Sequence, residues 1–324
     1  MLHSSVTYTS IGITSGEAVL IRSLILCALS LTLSYVLIPF CSSLAYVMGA
    51  KDEPGERKVH GRVTPRLGGL GFFAAFCAVL LLGGMLGDPT VNALLIGGGI
   101  IVAAGVSDDV FSLSPMIKLA LQLAAALVAL TFIEIPAHFS FFGLISLPLS
   151  GTTGALFAAV RIIFSMNAVN FSDGLDGLAT GLSVSALSAL FLFGLSNGRY
   201  PAAFAALLLA FSLLGFIPYN KYKARIFMGD SGSQFLGYAI ALLSLGCSEG
   251  GAFTAQTSLF LAIPMIDTWF SVLRRILKGK SPFAADKGHL HHLLLSAGVS
   301  HPTAVKILVS TGALIALVTL LFTV

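Results

Sequence analysis

Ten runs of mostly apolar residues, each close to the length that a helix needs to cross a bilayer, dictate what this chain can become. They fall at residues 18–41, 67–86, 91–107, 116–133, 154–169, 178–196, 201–218, 233–247, 255–275 and 303–323. A spanning helix needs roughly 20 such residues. Lipid offers no partner for a backbone N–H or C=O, so each run has to satisfy its own as a helix. Composition agrees: 56% of the 324 residues are hydrophobic and 10% are charged, against roughly 25% charged in soluble domains. The reading is an all-α polytopic membrane protein of about ten transmembrane helices, with eleven as the upper count, forming one domain over residues 1–324. Residues 135–150 are apolar but broken by Pro136 and Pro148, which predicts an interfacial stretch or a short hairpin outside the membrane. Met1 to Glu17 carries no Lys or Arg. The first run therefore lacks the basic n-region of a cleavable signal and reads as a retained span.

Basic residues in short loops mark the cytoplasmic side. With the N-terminus outside, the inner loops hold Lys51, Arg57, Lys58, Arg62, Arg66, Lys118, Lys221, Lys223, Arg225, Arg274, Arg275, Lys278, Lys280 and Lys287. The outer loops hold little beyond Arg199. Asp52, Glu53, Glu56, Asp108, Asp109, Asp173, Asp176, Asp230, Asp286, His60, His289, His291 and His292 sort to the same inner side. One face thus carries nearly all the ionisable chemistry. Cys27, Cys41, Cys77 and Cys247 lie in apolar stretches without CxxC spacing and read as small buried hydrophobes. Nothing suggests a nucleic-acid surface.

Several inner-face constellations are too polar to sit at span ends without a purpose. Asp108-Asp109 ends one span, just before Ser114-Pro115 starts the next helix. Neighbours on a helix point about 100° apart, so one carboxylate can serve a metal or a lysine while the other faces a substrate. Asn167, Asn170, Asp173 and Asp176 recur at steps of three, which places them near one helical face, and their oxygens suit Mg²⁺ shared with phosphates. Phe227-Met-Gly-Asp230-Ser-Gly-Ser233 offers one more hard ligand, with serines placed either to cap a helix or to bind phosphate at its N-terminus. His289-Leu-His291-His292, with Arg274, Arg275, Lys278, Lys280 and Lys287, suits an anion cradle. In the first inner loop, Lys58, His60 and Arg66 read either as a phosphate-binding edge or as a patch drawn to anionic headgroups. Asp267 is an intramembrane carboxylate, either functional or a partner of Arg274 or Arg275. Together these groups suit metal-assisted phosphoryl chemistry on a membrane-embedded acceptor. A secondary transporter is the rival, and it places its acidic residues at the bilayer midplane rather than at span ends.

The motifs DDxxxLSPxxK (Asp108 to Lys118), NxxNxxDGxDGL (Asn167 to Leu178), FMGDSGS (Phe227 to Ser233) and HLHH (His289 to His292) resemble, in order, the polyprenyl-phosphate N-acetylhexosamine-1-phosphate transferases. The first loop, DEPxxRKVHxxxxPRLGG from Asp52 to Gly69, is similar to the branch that transfers GlcNAc-1-phosphate and starts teichoic acid, O-antigen or enterobacterial antigen synthesis. The phospho-MurNAc-pentapeptide branch carries HHHFE where this chain has HLHHLL. The resemblance implies attack of undecaprenyl phosphate on the β-phosphate of UDP-GlcNAc, with UMP leaving; UDP-GalNAc and UDP-MurNAc-pentapeptide are the alternative donors. It implies an active site in cytoplasmic loops and helix ends of a bacterial cytoplasmic membrane protein, Mg²⁺ (or Mn²⁺) as cofactor, and homodimers among relatives. Asp108 or Asp109 is expected to deprotonate or position the lipid phosphate. Asp230 is expected to be the main metal ligand, with Asn170 and Asp173 beside it and Asp176 near the metal or nucleotide. Lys58, His60, Arg66, Lys118, Asn167, Asn170, Arg274, Arg275, His289, His291 and His292 are expected around the substrates.

Overall fold

The computed structural model describes residues 15–53, 63–142, 144–248, 252–279 and 288–322. In chain order the elements are α1 (Ser15–Met48), β1 (Lys51–Asp52), β2 (Thr64–Pro65), α2 (Gly68–Leu82), α3 (Pro89–Phe111), α4 (Pro115–Leu130), β3 (His138–Phe141), β4 (Ile145–Pro148), α5 (Gly151–Ser172), α6 (Leu178–Ser196), α7 (Tyr200–Asn220), α8 (Gly229–Gly246), β5 (Ala252–Thr254), α9 (Ala255–Leu259), α10 (Ala262–Leu277), α11 (Leu290–Ser296) and α12 (His301–Leu321). The protein is mostly helical and polytopic. Six helices (α1, α3, α5, α6, α7 and α12) are long and apolar enough to cross a membrane, and α2 and α4 are apolar but shorter.

Two expectations are corrected. The helix-only reading misses five short strands. β1 and β2 pair antiparallel, while β3 forms a hairpin with β4 and pairs in parallel with β5. Residues 135–150 thus take the hairpin form of the two considered. The run at 255–275 is not one helix: it breaks at Phe260-Leu261 into α9 and α10. Pro264 sits in the first turn of α10 and has no N–H for the carbonyl four residues back, so a continuous helix loses a bond there.

Helix ends follow their sequence signals. Ser114 caps α4, its Oγ accepting from Ile117 N at 3.4 Å, with Pro115 in the first turn. Asp88 and Ser150 cap α3 and α5 in the same way. A side-chain oxygen at this position satisfies an amide that the helix leaves unpaired.

The centre of the molecule is α8, whose residues Gly229 to Ser244 are all buried. It lies among α2, α3, α5, α6 and α7, most closely against α3 and α5. Glycines make this approach possible. A Cβ on Gly69 of α2 would run into the backbone of Ser231 and Gly232, and one on Gly105 of α3 into that of Asp230 and Ser231. The chain before α8 is also tied to the chain before α2: Phe227 N donates to Pro65 O at 2.8 Å, and Gly68 N donates back to Phe227 O at 3.0 Å. These contacts fix the first turn of α8, and therefore Asp230, against α2 and α3. Gly105→Val is expected to abolish folded protein in detergent size exclusion, because backbone rather than a flexible side chain fills the space. Gly99→Val, on the same helix with nothing within 4 Å of its added Cβ, is expected to behave as wild type.

Candidate active site

The carboxylates converge at one end of the bundle, from the last turn of α3, the end of α5 and the first turn of α8. The adjacent pair divides its work. Asp109 is buried and accepts from Asp230 N (3.0 Å), Ser231 N (3.3 Å) and Ser231 Oγ (3.1 Å). Met228, in the N-cap position of α8, provides no side-chain bond, so Asp109 caps α8 from a different helix. A carboxylate there also complements the positive end of the helix dipole. Gly229, at φ 70°, brings its backbone close against Asp109. Asp108 instead accepts from Leu113 N at 2.8 Å and from Lys118 Nζ at 2.7 Å.

Asp230 is the hub. Lys118 Nζ (3.0 Å) and Gln234 Nε2 (2.8 Å) donate to its Oδ2, and Asn170 Nδ2 (3.1 Å) donates to Oδ1. Asn170 also donates to Ser233 Oγ at 2.8 Å. Arg66 reaches over both buried acids, with Nε 3.5 Å from Asp109 and Nη2 3.8 Å from Asp230. Its charge is also felt by Asp52 and Asp173. Asn167 joins indirectly: its Nδ2 donates to Gln122 Oε1 at 3.0 Å, and Gln122 Nε2 donates to Gln234 Oε1 at 3.0 Å. Gln122 and Gln234 were not singled out from the sequence. Their signal is the helical i+4 step, Gln122 from Lys118 and Gln234 from Asp230, which sets each pair on one face.

Asp173 differs from the other acids. It follows α5, and no described residue donates a hydrogen bond to its carboxylate. Desolvation pushes its carboxyl well above the usual range, and Asp230, Asp109 and Asp176 push further while Arg66 opposes. Among the described residues no three acidic or imidazole groups converge as a closed metal cage. Mg²⁺ rarely uses one: it is commonly held by one or two carboxylates together with phosphate oxygens and waters. Asp173, with open lone pairs, and Asp230 fit that donor chemistry. Asp176 turns elsewhere, accepting from Ala224 N at 3.0 Å, and so ties the 173–177 turn to the segment before α8.

A histidine cluster packs onto this turn. His289 lies 5.5 Å from the Phe171 ring and 5.8 Å from His291, the two imidazoles stacked at 8°. His291 presses on Gly174, where a Cβ would collide with its ring. Burial, with help from His292 and His289, pushes the His291 imidazole down to about 4. It is therefore neutral near pH 7 and offers a hydrogen bond rather than charge. His292 lies 4.3 Å from His291. Arg275 stacks over Phe171 at 5.6 Å, and Arg274 donates to Ser271 Oγ at 3.0 Å. Asp267 bonds to His289 Nδ1 at 2.9 Å. Lys58 and His60 lie outside the described residues.

With this geometry in place, similarity to known proteins can be weighed. A profile described as glycosyl transferase family 4 matches residues 91–248. A Bacillus subtilis (strain 168) protein named a probable undecaprenyl-phosphate N-acetylglucosaminyl 1-phosphate transferase is 35% identical over 308 residues, covering 90% of this chain and 83% of its own length. The chain belongs to glycosyl transferase family 4. A Mycolicibacterium smegmatis member, named decaprenyl-phosphate N-acetylglucosaminephosphotransferase, is 33% identical, covering 91% of this chain and 80% of its own. An Escherichia coli K12 member, named undecaprenyl-phosphate alpha-N-acetylglucosaminyl 1-phosphate transferase, is 29% identical, covering 86% and 77%. The family match spans α3 to α8, the elements that bring Asp108, Asp109, Asn170, Asp173 and Asp230 together.

The capping and the open carboxylate make opposite predictions. Asp109→Ala leaves the buried amides of α8 unsatisfied, which costs about 1–3 kcal/mol, and its melting temperature in detergent is expected to fall. Asp173→Asn removes a desolvated charge without breaking a bond. Its melting temperature without divalent cation is expected to equal or exceed wild type, while activity falls at least about 100-fold.

Proposed function

We propose that this protein transfers N-acetylglucosamine 1-phosphate from UDP-GlcNAc to undecaprenyl phosphate, giving undecaprenyl-diphospho-GlcNAc and UMP, as the first membrane step of a cell-surface glycan. One observation carries the reading: Asp108, Asp173 and Asp230 meet Lys118 and Arg66 at helix ends on one face, in a family whose relatives are named for that transfer. The transporter rival needs acids at mid-depth, and these acids sit at helix ends.

A phosphate oxygen of the lipid bonds to the β-phosphorus of UDP-GlcNAc, and the bond from that phosphorus to the bridging oxygen breaks, leaving UMP with the electron pair. Lipid phosphate is largely dianionic near neutral pH, with a second pKa of about 6, so a strong base is not required. Lys118 and Arg66 sit where they offset the charge of converging phosphates. Asp108, already bonded to Lys118 and Leu113 N, holds that lysine in place. Asp230 and Asp173 would hold Mg²⁺, with Mn²⁺ as a substitute, supplying charge neutralisation across the diphosphate oxygens. Asn170 orients Asp230.

Topology supports the same reading. Beyond the six helices long and apolar enough to cross a membrane, α2, α4, α8 and the broken pair α9–α10 count as crossings in this reading, ten in all. That count agrees with the hydrogen bonds that join β3, β4 and β5 to one another and the 65–69 segment to the 227–228 segment. The excess of Lys and Arg on the carboxylate face supports a cytoplasmic site.

The test is UMP release by purified protein with undecaprenyl phosphate and Mg²⁺, given UDP-GlcNAc, UDP-GalNAc or UDP-MurNAc-pentapeptide separately. UMP from UDP-GlcNAc alone, lost on chelation and in Asp230→Asn, is the expected result. UMP from another donor would overturn the sugar, and none from any donor would overturn the reaction.

A further inference from the structure

Asp267 belongs to none of the four motifs, and the sequence leaves it either functional or a partner of Arg274 or Arg275. It pairs instead with a histidine 22 positions along the chain. Asp267 and His289 are both buried. Asp267 Oδ2 lies 2.9 Å from His289 Nδ1, and Asp267 Oδ1 accepts from Leu290 N at 2.9 Å. Ser271 Oγ, one turn further along α10, lies 3.2 Å from the same Nδ1. The ring also stacks with His291 and lies against the tilted ring of Phe171. Nδ1 and the carboxylate are therefore both committed. The other ring nitrogen, Nε2, has no partner among the described residues.

We infer that Asp267 is a positioning residue: it holds His289 in the tautomer with the proton on Nδ1, so that Nε2 is the atom presented to a substrate phosphate. This rests on the transferase reading above. A carboxylate beside one imidazole nitrogen fixes both the tautomer and the ring orientation, and it stabilises the cation formed when the other nitrogen takes up a proton. Here the proton comes from solvent, and the imidazolium then donates from Nε2 to a phosphate oxygen. Contact with Phe171, next to the Asp173 turn, places His289 beside the carboxylate centre. Nε2 of His289 is thus oriented in advance of substrate binding.

The bond from Leu290 N makes the test specific. It anchors Oδ1, so in Asp267→Asn the amide nitrogen takes the place of Oδ2 and faces Nδ1. An NH₂ group can only donate, so Nδ1 must become the acceptor and the proton moves to Nε2. Shape and the Leu290 bond are kept, which separates loss of the tautomer from loss of the fold.

Two measurements decide the matter. In the first, UMP release is measured for Asp267→Asn, His289→Gln and the double variant. Asp267→Asn is expected to lower kcat by on the order of 10- to 100-fold with an unchanged melting temperature. The double variant is expected to be no slower than the slower single one, because Asp267 acts through His289. Losses that multiply, or an Asp267→Asn enzyme as fast as wild type, would overturn the inference. In the second, ¹⁵N-histidine spectra, with His289 assigned by its absence in His289→Gln, report the tautomer directly. A protonated Nδ1 in wild type and a protonated Nε2 in Asp267→Asn are expected; the same tautomer in both would overturn the inference. The spectra need no turnover, so they decide it even if wild-type protein releases no UMP and the transferase reading itself fails.

Discussion

The amides at the start of a helix have no partner within it, and in α8 they are sealed inside the protein by α2, α3 and α5. An unsatisfied amide in that setting is costly. Asp109 meets the cost by giving both oxygens to Asp230 N, Ser231 N and Ser231 Oγ. A charge is thereby committed to the protein interior, and much else follows from accommodating it. Arg66 is drawn over the carboxylate. Gly69, Gly105 and Gly229 must be small so that backbone and carboxylate can close on one another. Asp230, the second residue of α8, is held to a fixed position by the same contacts.

Around that fixed point the charges do not balance within the protein. Lys118 and Arg66 are shared among Asp108, Asp109 and Asp230, and Asp173 faces the group with no donor of its own among the described residues. Buried like charges are unstable neighbours. In the transfer proposed above, Asp173 and Asp230 would hold a divalent cation, which would supply charge neutralisation there. The polar side chains Gln122, Gln234, Asn167 and Asn170 form a hydrogen-bonded frame around Asp230.

Much of the fold was legible because lipid imposes one simple rule. The runs at 18–41 and 178–196 fall within α1 and α6, and the run at 303–323 overlaps nearly all of α12. The run at 255–275 was misread because hydropathy does not register the bond that Pro264 cannot make. β5 lies far in sequence from the hairpin it joins, and no local pattern announces such a pairing. At the site, residue types and spacing brought out Asp108, Asp109, Asn170, Asp173 and Asp230. The division of labour between Asp108 and Asp109 was not legible, since adjacent identical side chains differ only in which way the last turn of α3 points them. Nor was the bond of Asp176 to Ala224 N, which depends on how the segment before α8 folds back. His289 stood out as part of HLHH, while its partner Asp267 was weighed against the two arginines nearer to it in sequence.

The central claim is that the β-phosphate of the donor crosses to the lipid together with its sugar. The most direct measurement uses UDP-GlcNAc labelled with ³²P at the β-phosphate, incubated with the purified protein, undecaprenyl phosphate and Mg²⁺, followed by organic extraction. The account predicts ³²P in the lipid phase in equal amount to GlcNAc. Lipid that gains the sugar without ³²P, or label that stays entirely in water-soluble products, would contradict it.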